Sequence, residues 1–340
     1  MKYQIITDFD QITEKEWEQV LQHSNISSPF LHYGFQRTWW SFLGGGEWQN
    51  ADLHIITATT DDMLVGIAPL FVTVHEGEKQ VHIIGSFEIC DYLDFIVPAQ
   101  SSFEFIKQVL DLLFNDPKKT IDKIILYNIP ENSPSIAALD QLEEMESWAI
   151  EIEKAYHTPA ITLPEDWDTY LMDIDKKQRH EIRRKMRRAE GSEEDDVSWC
   201  IIGKDDDLDQ AIADFLGLME NDPDKARFLT DRMRKQMYAI IRWADSAGIL
   251  QLSFLTINGK NAAGYLCFDV AGRMWVYNSG FSPGFGYYSP GWVLLGYLIQ
   301  HAINNGKTHF DFMRGDEKYK YRFGAQDGLV MKSTITPKSA

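Results

Sequence analysis

Residues 280–324 read GFSPGFGYYSPGWVLLGYLIQHAINNGKTHFDFMRGDEKYKYRFG. The stretch parses as a glycine-rich loop, a helix from about Pro290 to Asn305, a short strand ending in DFMRGDE, and an aromatic-basic turn. A loop that opens directly into a helix presents backbone N–H groups to an anion. Polar residues where the next strand leaves its sheet occupy the place where such folds keep their chemistry. The two features adjoin in sequence, and the expected chemistry is group transfer from a phosphate-bearing carrier. Gly280, Gly284 and Gly286 let the loop backbone approach a ligand. Ser289-Pro290-Gly291 starts the helix, with Ser289 as the capping acceptor and Pro290 in the first turn.

Alternation along THFDFM places His309, Asp311 and Met313 on one face and Phe310 and Phe312 on the other. An aspartate in such a strand needs a partner or a hydrogen bond. The structural reading is an Asp311–Arg314 ion pair, with Lys318 and Lys320 as further partners. The functional reading has Asp311, Asp316 or Glu317 taking a proton from an incoming amine. Tyr319 or Tyr321 then supplies a proton to a leaving thiolate. Lys320 stabilises a developing oxyanion or binds an acidic substrate, and Arg314 and Asp316 are candidate substrate contacts.

Two repeats of one element order flank this reading. LHIITATT, LVGIAPLFVTV and KQVHIIGSF read as three strands, followed by a loop, a helix from about Ser101 to Phe114, and the strand KIILYNI. LQLSFLTI, AAGYLCFDV and RMWVYNSGF repeat the strands, with Asn258-Gly259 as a hairpin turn. Gly66 and Gly264 occupy equivalent places in this scheme. Helical segments precede each sheet, with Gly248 as a C-terminal stop and Gly44-Gly45-Gly46 as another. Two α+β units are expected, residues 1–150 and 151–340, each a mixed, mainly antiparallel sheet flanked by helices.

At 340 residues and 44% hydrophobic content the chain is globular and long enough for two cores. The N-terminus lacks a signal-peptide pattern, and no apolar run approaches the roughly 20 residues that span a bilayer, so the expectation is cytoplasmic, without membrane insertion. Three scattered cysteines and nine histidines show no metal spacing. No metal is expected. A net charge of −18 argues against general nucleic-acid binding. The segment 176–188 departs from that balance, with eight basic residues against Glu181 alone. Ile182, Met186 and Ala189 give it a thin apolar stripe, and Arg179, Arg183 and Arg187 align on a neighbouring face. This face is either a solvated counterweight to an acidic protein or an anion-binding wall, with Arg183 and Arg187 as candidates.

SPGWVLLGYLIQHAINNGKTHFDFMRGDEKYKYRFG resembles the signature of a branch of the GNAT acyltransferase superfamily annotated around cellulose and exopolysaccharide biosynthesis. It is similar in architecture to the FemAB-type peptidyltransferases, which carry two GNAT-like units. SSPFLHYGFQRTWW, SFEICDYLDFIVP and KKQRHEIRRKMRRAE extend the resemblance over most of the chain. It implies that the RMWVYNSGF strand, through Ser279, Gly280 and Phe281, offers backbone groups to pantetheine. The GFSPGFGYYSPG loop would receive the pyrophosphate of acetyl-CoA or another acyl-CoA. The loop departs from the usual pattern in carrying no basic residue. The first unit lacks a comparable loop and is assigned acceptor recognition, with Asp91, Tyr92 and Asp94 as candidates.

The expected function is N-acyl transfer from acyl-CoA to an amine of an amino sugar, peptide or cell-envelope precursor. Aminoacyl transfer from charged tRNA is the enzymatic alternative, and a non-catalytic ligand-binding protein is the other. One spatial condition underlies the first: Ser289 and Asp311 open onto a common crevice.

Overall fold

The computed structural model describes residues 1–115, 120–145 and 148–338. It forms two units, residues 1–156 with the final strand from Leu329, and residues 157–328.

Local chemistry sets the first helices of unit 1. After β1 (Lys2–Ile6), α1 (Glu14–Gln22) starts at a capping box: the Thr13 hydroxyl accepts from Glu16 N–H, and the Glu16 carboxylate accepts from Thr13 N–H. It buries Trp17, whose Nε1 donates to the Leu31 carbonyl at 2.8 Å. α2 (Tyr33–Phe42) stops where Leu43 turns left-handed at φ 49°, and Gly44, Gly45 and Gly46 follow at positive φ.

The strands β2 (Asp52–Leu53), β3 (Ile55–Thr60), β4 (Met63–Ala68), β5 (Leu70–His75) and β6 (Glu78–Ile83) follow. The sequence reads LVGIAPLFVTV as one strand, whereas the structure splits it at Pro69. β4 joins the three-stranded sheet β1-β3-β4, and β5 joins a six-stranded sheet. Proline has no N–H to donate to a ladder, so the chain changes sheet there. α3 (Ser102–Phe114) crosses over to β7 (Lys123–Pro130), which lies parallel to β6. α4 (Pro134–Glu144) and β8 (Trp148–His157) complete the run.

Unit 2 contains β9 (Ala160–Thr162), α5 (Trp167–Asp173), α6 (Lys176–Glu190), β10 (Val197–Ile201), α7 (Leu208–Met219), α8 (Pro223–Phe228) and α9 (Asp231–Ser246). β11 (Leu250–Ile257), β12 (Lys260–Val270) and β13 (Arg273–Phe281) form an antiparallel meander. Its first turn is the expected Asn258-Gly259, at φ 51° and 71°. α10 (Pro290–Asn304) crosses over to β14 (His309–Asp311), parallel to β13, and α11 (Lys318–Arg322) follows. The sheet order is β10-β11-β12-β13-β14-β9.

The last strand, β15 (Leu329–Pro337), pairs antiparallel with β7 in unit 1, so its sheet reads β2-β5-β6-β7-β15-β8. The sequence assigns residues 329–337 to the second half, whereas their hydrogen bonds lie in the first. β9, from the chain just after β8, fills the matching place beside β14. Each six-stranded sheet therefore carries a parallel pair joined by a crossover helix, β6/β7 by α3 and β13/β14 by α10. Gly66 and Gly264 do not share an environment: a Cβ on Gly66 would strike Phe105 of α3 at 2.7 Å, whereas one on Gly264 would meet Phe215 of α7 at 3.1 Å.

The apolar stripe of α6 packs as expected, with Ile182, Met186 and Ala189 buried. Met186 Sδ lies 3.0 Å from where a Cβ of Gly296 would sit, so glycine lets α6 approach α10. Among the described residues no helix is long and apolar enough to cross a membrane, and no group of three or more His, Cys, Asp or Glu is placed to hold a metal.

Candidate active site

The parallel ladder between β13 and β14 stops at Trp275 and Asp311, while β13 continues to Phe281. A pocket of about 390 Å³ lies beside that extension, at the loop 283–288 and the start of α10. It brings together Ser279, Phe281, Gly286, Ser289, Pro290 and Gly291 with Tyr319, all singled out from the sequence. It also takes in Tyr265, Lys185 and Trp292, which were not.

Ser289 does not cap α10 with its side chain. It sits left-handed at φ 52°, and its carbonyl accepts from Trp292 and Val293 N–H at 3.0 and 3.1 Å. Side-chain capping uses an extended residue at this position. Gly280 faces protein: a Cβ there would lie 2.5 Å from Met219 N and 2.6 Å from Leu218 C, so glycine lets β13 approach α7. Gly284 lies outside the pocket lining, and Gly286 has nothing within 4 Å of a notional Cβ.

The loop carries no cation of its own, and α6 supplies two. Lys185 Nζ stands 4.2 Å from the Trp292 ring centroid and 3.4 Å from Glu181. Arg188 donates to the Tyr287 carbonyl at 2.8 Å. The Tyr288 hydroxyl donates to Asp195 at 2.6 Å, and Asn258 donates to the same carboxylate at 2.6 Å. These bonds hold the Asp195 carboxyl below the usual range and pin the loop to the α6–β10 connection. Arg183 and Arg187 do not line the pocket. Arg183 is exposed and 3.4 Å from Asp168, and Arg187 donates to the Arg183 carbonyl.

Asp311 is fully buried and pairs with Arg273 at 2.8 Å. Its other oxygen accepts from Met313 N–H at 2.8 Å, holding a turn in which Met313 has φ 56°. Parallel register explains the pairing, since Arg273 stands opposite His309, two residues from Asp311. Asp311 is absent from the pocket lining, so the common crevice expected for Ser289 and Asp311 is not found; the crevice at Ser289 leads to Tyr319, and an acyl-transfer site there has to work without Asp311.

Lys320 is 2% exposed and donates to the carbonyls of Arg314 at 2.6 Å, Gly315 at 3.0 Å and Met313 at 3.4 Å, while pairing with Glu317 at 2.9 Å. It clamps the turn from inside. Arg314 is half-buried and Asp316 exposed, both outside the pocket lining. Burial, then the charge of Glu317 and the Cys267 thiol, push the Tyr319 phenol well above its ordinary value. Tyr265, buried, donates to the Gly291 carbonyl at 3.3 Å. Lys225 was also missed: its Nζ donates to Asn278 Oδ1 at 3.0 Å and the Ser279 carbonyl at 2.5 Å. Burial draws its pKa below the usual lysine range, against the opposing pull of Asp222 and Glu317.

In unit 1, Asp94 is buried and takes hydrogen bonds from the Ser133 and Ser135 hydroxyls and its neighbour's Phe95 N–H. Burial, partly offset by those bonds, raises its pKa to about 6. The Tyr92 carbonyl accepts from Ser28 at 3.0 Å, and Asp91 is 9% exposed. The bonds of Tyr92 and Asp94 tie down the loop after β6.

Residues 176–321 match a family model described as an acetyltransferase (GNAT) domain. Over that segment the chain is similar to GNAT acetyltransferase domains. No curated protein matches by sequence. Among solved structures, FemX aligns with a TM-score of 0.67 at 12% identity, over 98% of this chain and 97% of its own. L-PGS from Bacillus licheniformis aligns at 0.57 and 11%, over 96% and 93%. A tandem GNAT protein from the clavulanic acid biosynthesis pathway, solved without AcCoA, aligns at 0.51 and 10%, over 100% and 99%. The fold is a FemAB-like tandem of two GNAT-type units, and the match over residues 176–321 supports an N-acyltransferase enzyme.

Proposed function

We propose that the GNAT domain transfers an acyl group, acetyl in the simplest case, from acyl-CoA to an amine of an amino sugar, peptide or cell-envelope precursor in the cytoplasm. The observation that carries this reading is the pocket shared by the α10 N-terminus, Lys185 and Tyr319. The residues suit the co-substrate. Tyr265, Phe281 and Leu295 form an apolar wall for the pantetheine arm, and the helix start with Lys185 favours phosphate charge.

The amine nitrogen attacks the thioester carbonyl carbon, the carbon–sulfur bond breaks, and an amide forms. Glu317, exposed on the turn beside Tyr319 and just outside the pocket lining, takes the proton the amine loses through an intervening water. Tyr319 stays protonated at neutral pH and gives its proton to the leaving thiolate. Asp311 and Lys320 hold the turn that carries both.

Aminoacyl transfer from charged tRNA is the second reading, favoured by the exposed cations Arg183, Arg184 and Arg187 on α6 in an otherwise acidic chain. Calorimetry separates the two. Acetyl-CoA or a longer acyl-CoA is expected to bind, and Tyr319→Phe to lower turnover about 100-fold with donor affinity unchanged. Failure of every acyl-CoA to bind sinks the first reading in favour of the second.

A further inference from the structure

Unit 1 holds a cavity of its own, about 200 Å³, on one face of the β6–β7 pair. Alternation brings Gln80 and His82 of β6 and Lys123 and Tyr127 of β7 to that face, with Gln80 opposite Lys123. Three rings wall it at steep mutual angles: Phe87 is 5.1 Å from Tyr127 at 54° and 6.3 Å from Trp48 at 77°. Trp48 in turn lies 4.6 Å from the His82 ring.

Two buried polar atoms in this lining have no hydrogen-bond partner, His82 Nδ1 and Trp48 Nε1. His82 is 2% exposed and Trp48 6%. The hydrogen bonds of Gln80 fix the His82 tautomer. Gln80 Nε2 donates to the His75 carbonyl and to Glu78, which turns Oε1 toward His82 Nε2 at 3.0 Å. Nε2 therefore carries the hydrogen, and Nδ1 is a bare acceptor. A complementary ligand needs a donor for Nδ1 and an acceptor for the Trp48 N–H.

Charge narrows the choice further. Glu47 and Glu76 are exposed at the lining, and its one lysine, Lys123, is already paired with Glu78. An anionic ligand would meet carboxylates and a lone pair. Ring faces together with acids favour a cation that also presents a flat C–H surface.

We propose that this cavity binds an amino sugar: its ammonium donates to His82 Nδ1 and lies toward Glu47 and Glu76, a hydroxyl accepts from Trp48 Nε1, and its ring packs on Tyr127 and Phe87. The site is separate from the acyl-CoA reading, since binding is measured with no acyl donor present.

Full-length protein is titrated by calorimetry with glucosamine, glucose and choline at mildly acidic pH, where the sugar amine is charged. His82, held down to about 3 chiefly by burial, stays neutral there. Glucosamine is expected to bind with Kd on the order of 1 mM, glucose at least about tenfold more weakly, and choline not measurably. Tyr127→Ala and the surface change Glu76→Gln should each weaken glucosamine about fivefold or more. Glu76 is exposed, so its variant decides the matter even where Tyr127→Ala unfolds unit 1. No glucosamine binding, equal binding of glucose or choline, or affinity unchanged in Glu76→Gln each overturns the proposal.

Discussion

Replacing Asp311 by asparagine separates a structural carboxylate from a catalytic one. Asparagine keeps an oxygen for Met313 N–H but removes the charge that faces Arg273. Breaking one side of a fully buried pair costs about 3–5 kcal/mol. The Asp311 side chain is 1% exposed, but that of Arg273 is 30% exposed and regains water, which lowers the expectation to about 2–3 kcal/mol. For a unit of this size that corresponds to a fall of roughly 5–10 °C in the unfolding transition containing unit 2. Calorimetric and urea unfolding should show the loss, and Arg273→Met should show a similar one. The double variant should lose less than the sum, with a coupling of about 1 kcal/mol or more. Turnover of the folded fraction should fall less than about tenfold, because Asp311 lies outside the pocket. A variant that keeps wild-type stability within about 0.5 kcal/mol but loses turnover 100-fold or more would refute the reasoning and return the proton to Asp311.

Gly280→Ala forces a Cβ to within 2.5 Å of the α7 backbone, so β13 and α7 must separate at a cost of about 1–3 kcal/mol. Ser279 and Phe281 move with it, and coenzyme A affinity measured by calorimetry should drop alongside stability; an unchanged melting curve counts against the close packing. Asp94 gives a pH signature. Its folded value of about 6 exceeds the ordinary 3.8, so its contribution is full below about pH 4 and is lost as pH rises through about 6. The stability difference between wild type and Asp94→Asn should therefore shrink by about 3 kcal/mol from about pH 4 to about pH 7, read from urea midpoints; parallel pH curves would show that Asp94 titrates normally.

Legibility in the sequence followed the range of the interaction. Asn258-Gly259, the Gly44–Gly46 stop and the α6 stripe are local, set by φ preferences and helical spacing within one turn or two. The split at Pro69 was equally local and was readable from a missing N–H inside LVGIAPLFVTV. The exchange of β9 and β15 was not. β9 has three residues, and nothing in AIT indicates that it caps the β14 edge while the chain's last strand returns to β7.

The site divides along the same line. Residues 279–291 fall into one pocket because they are contiguous and the loop must enter α10. Arg273 and Asp311 are 38 residues apart, and only the β13–β14 register makes them partners. Helical phase misdirected the basic segment in another way. Charge alignment singled out Arg183 and Arg187, which face solvent, whereas Lys185 sits next to the buried Met186 and leans over Trp292. A cation at the margin of an apolar stripe has a hydrocarbon stem that packs and a head that reaches the neighbouring helix. That combination, more than charge density, marks which residue of a basic helix enters a site. Lys320 shows the converse limit: three carbonyl acceptors inside a turn with positive φ at Met313 and Gly315 make a lysine structural, and those carbonyls belong to Met313, Arg314 and Gly315, whose inward direction only the folded turn reveals.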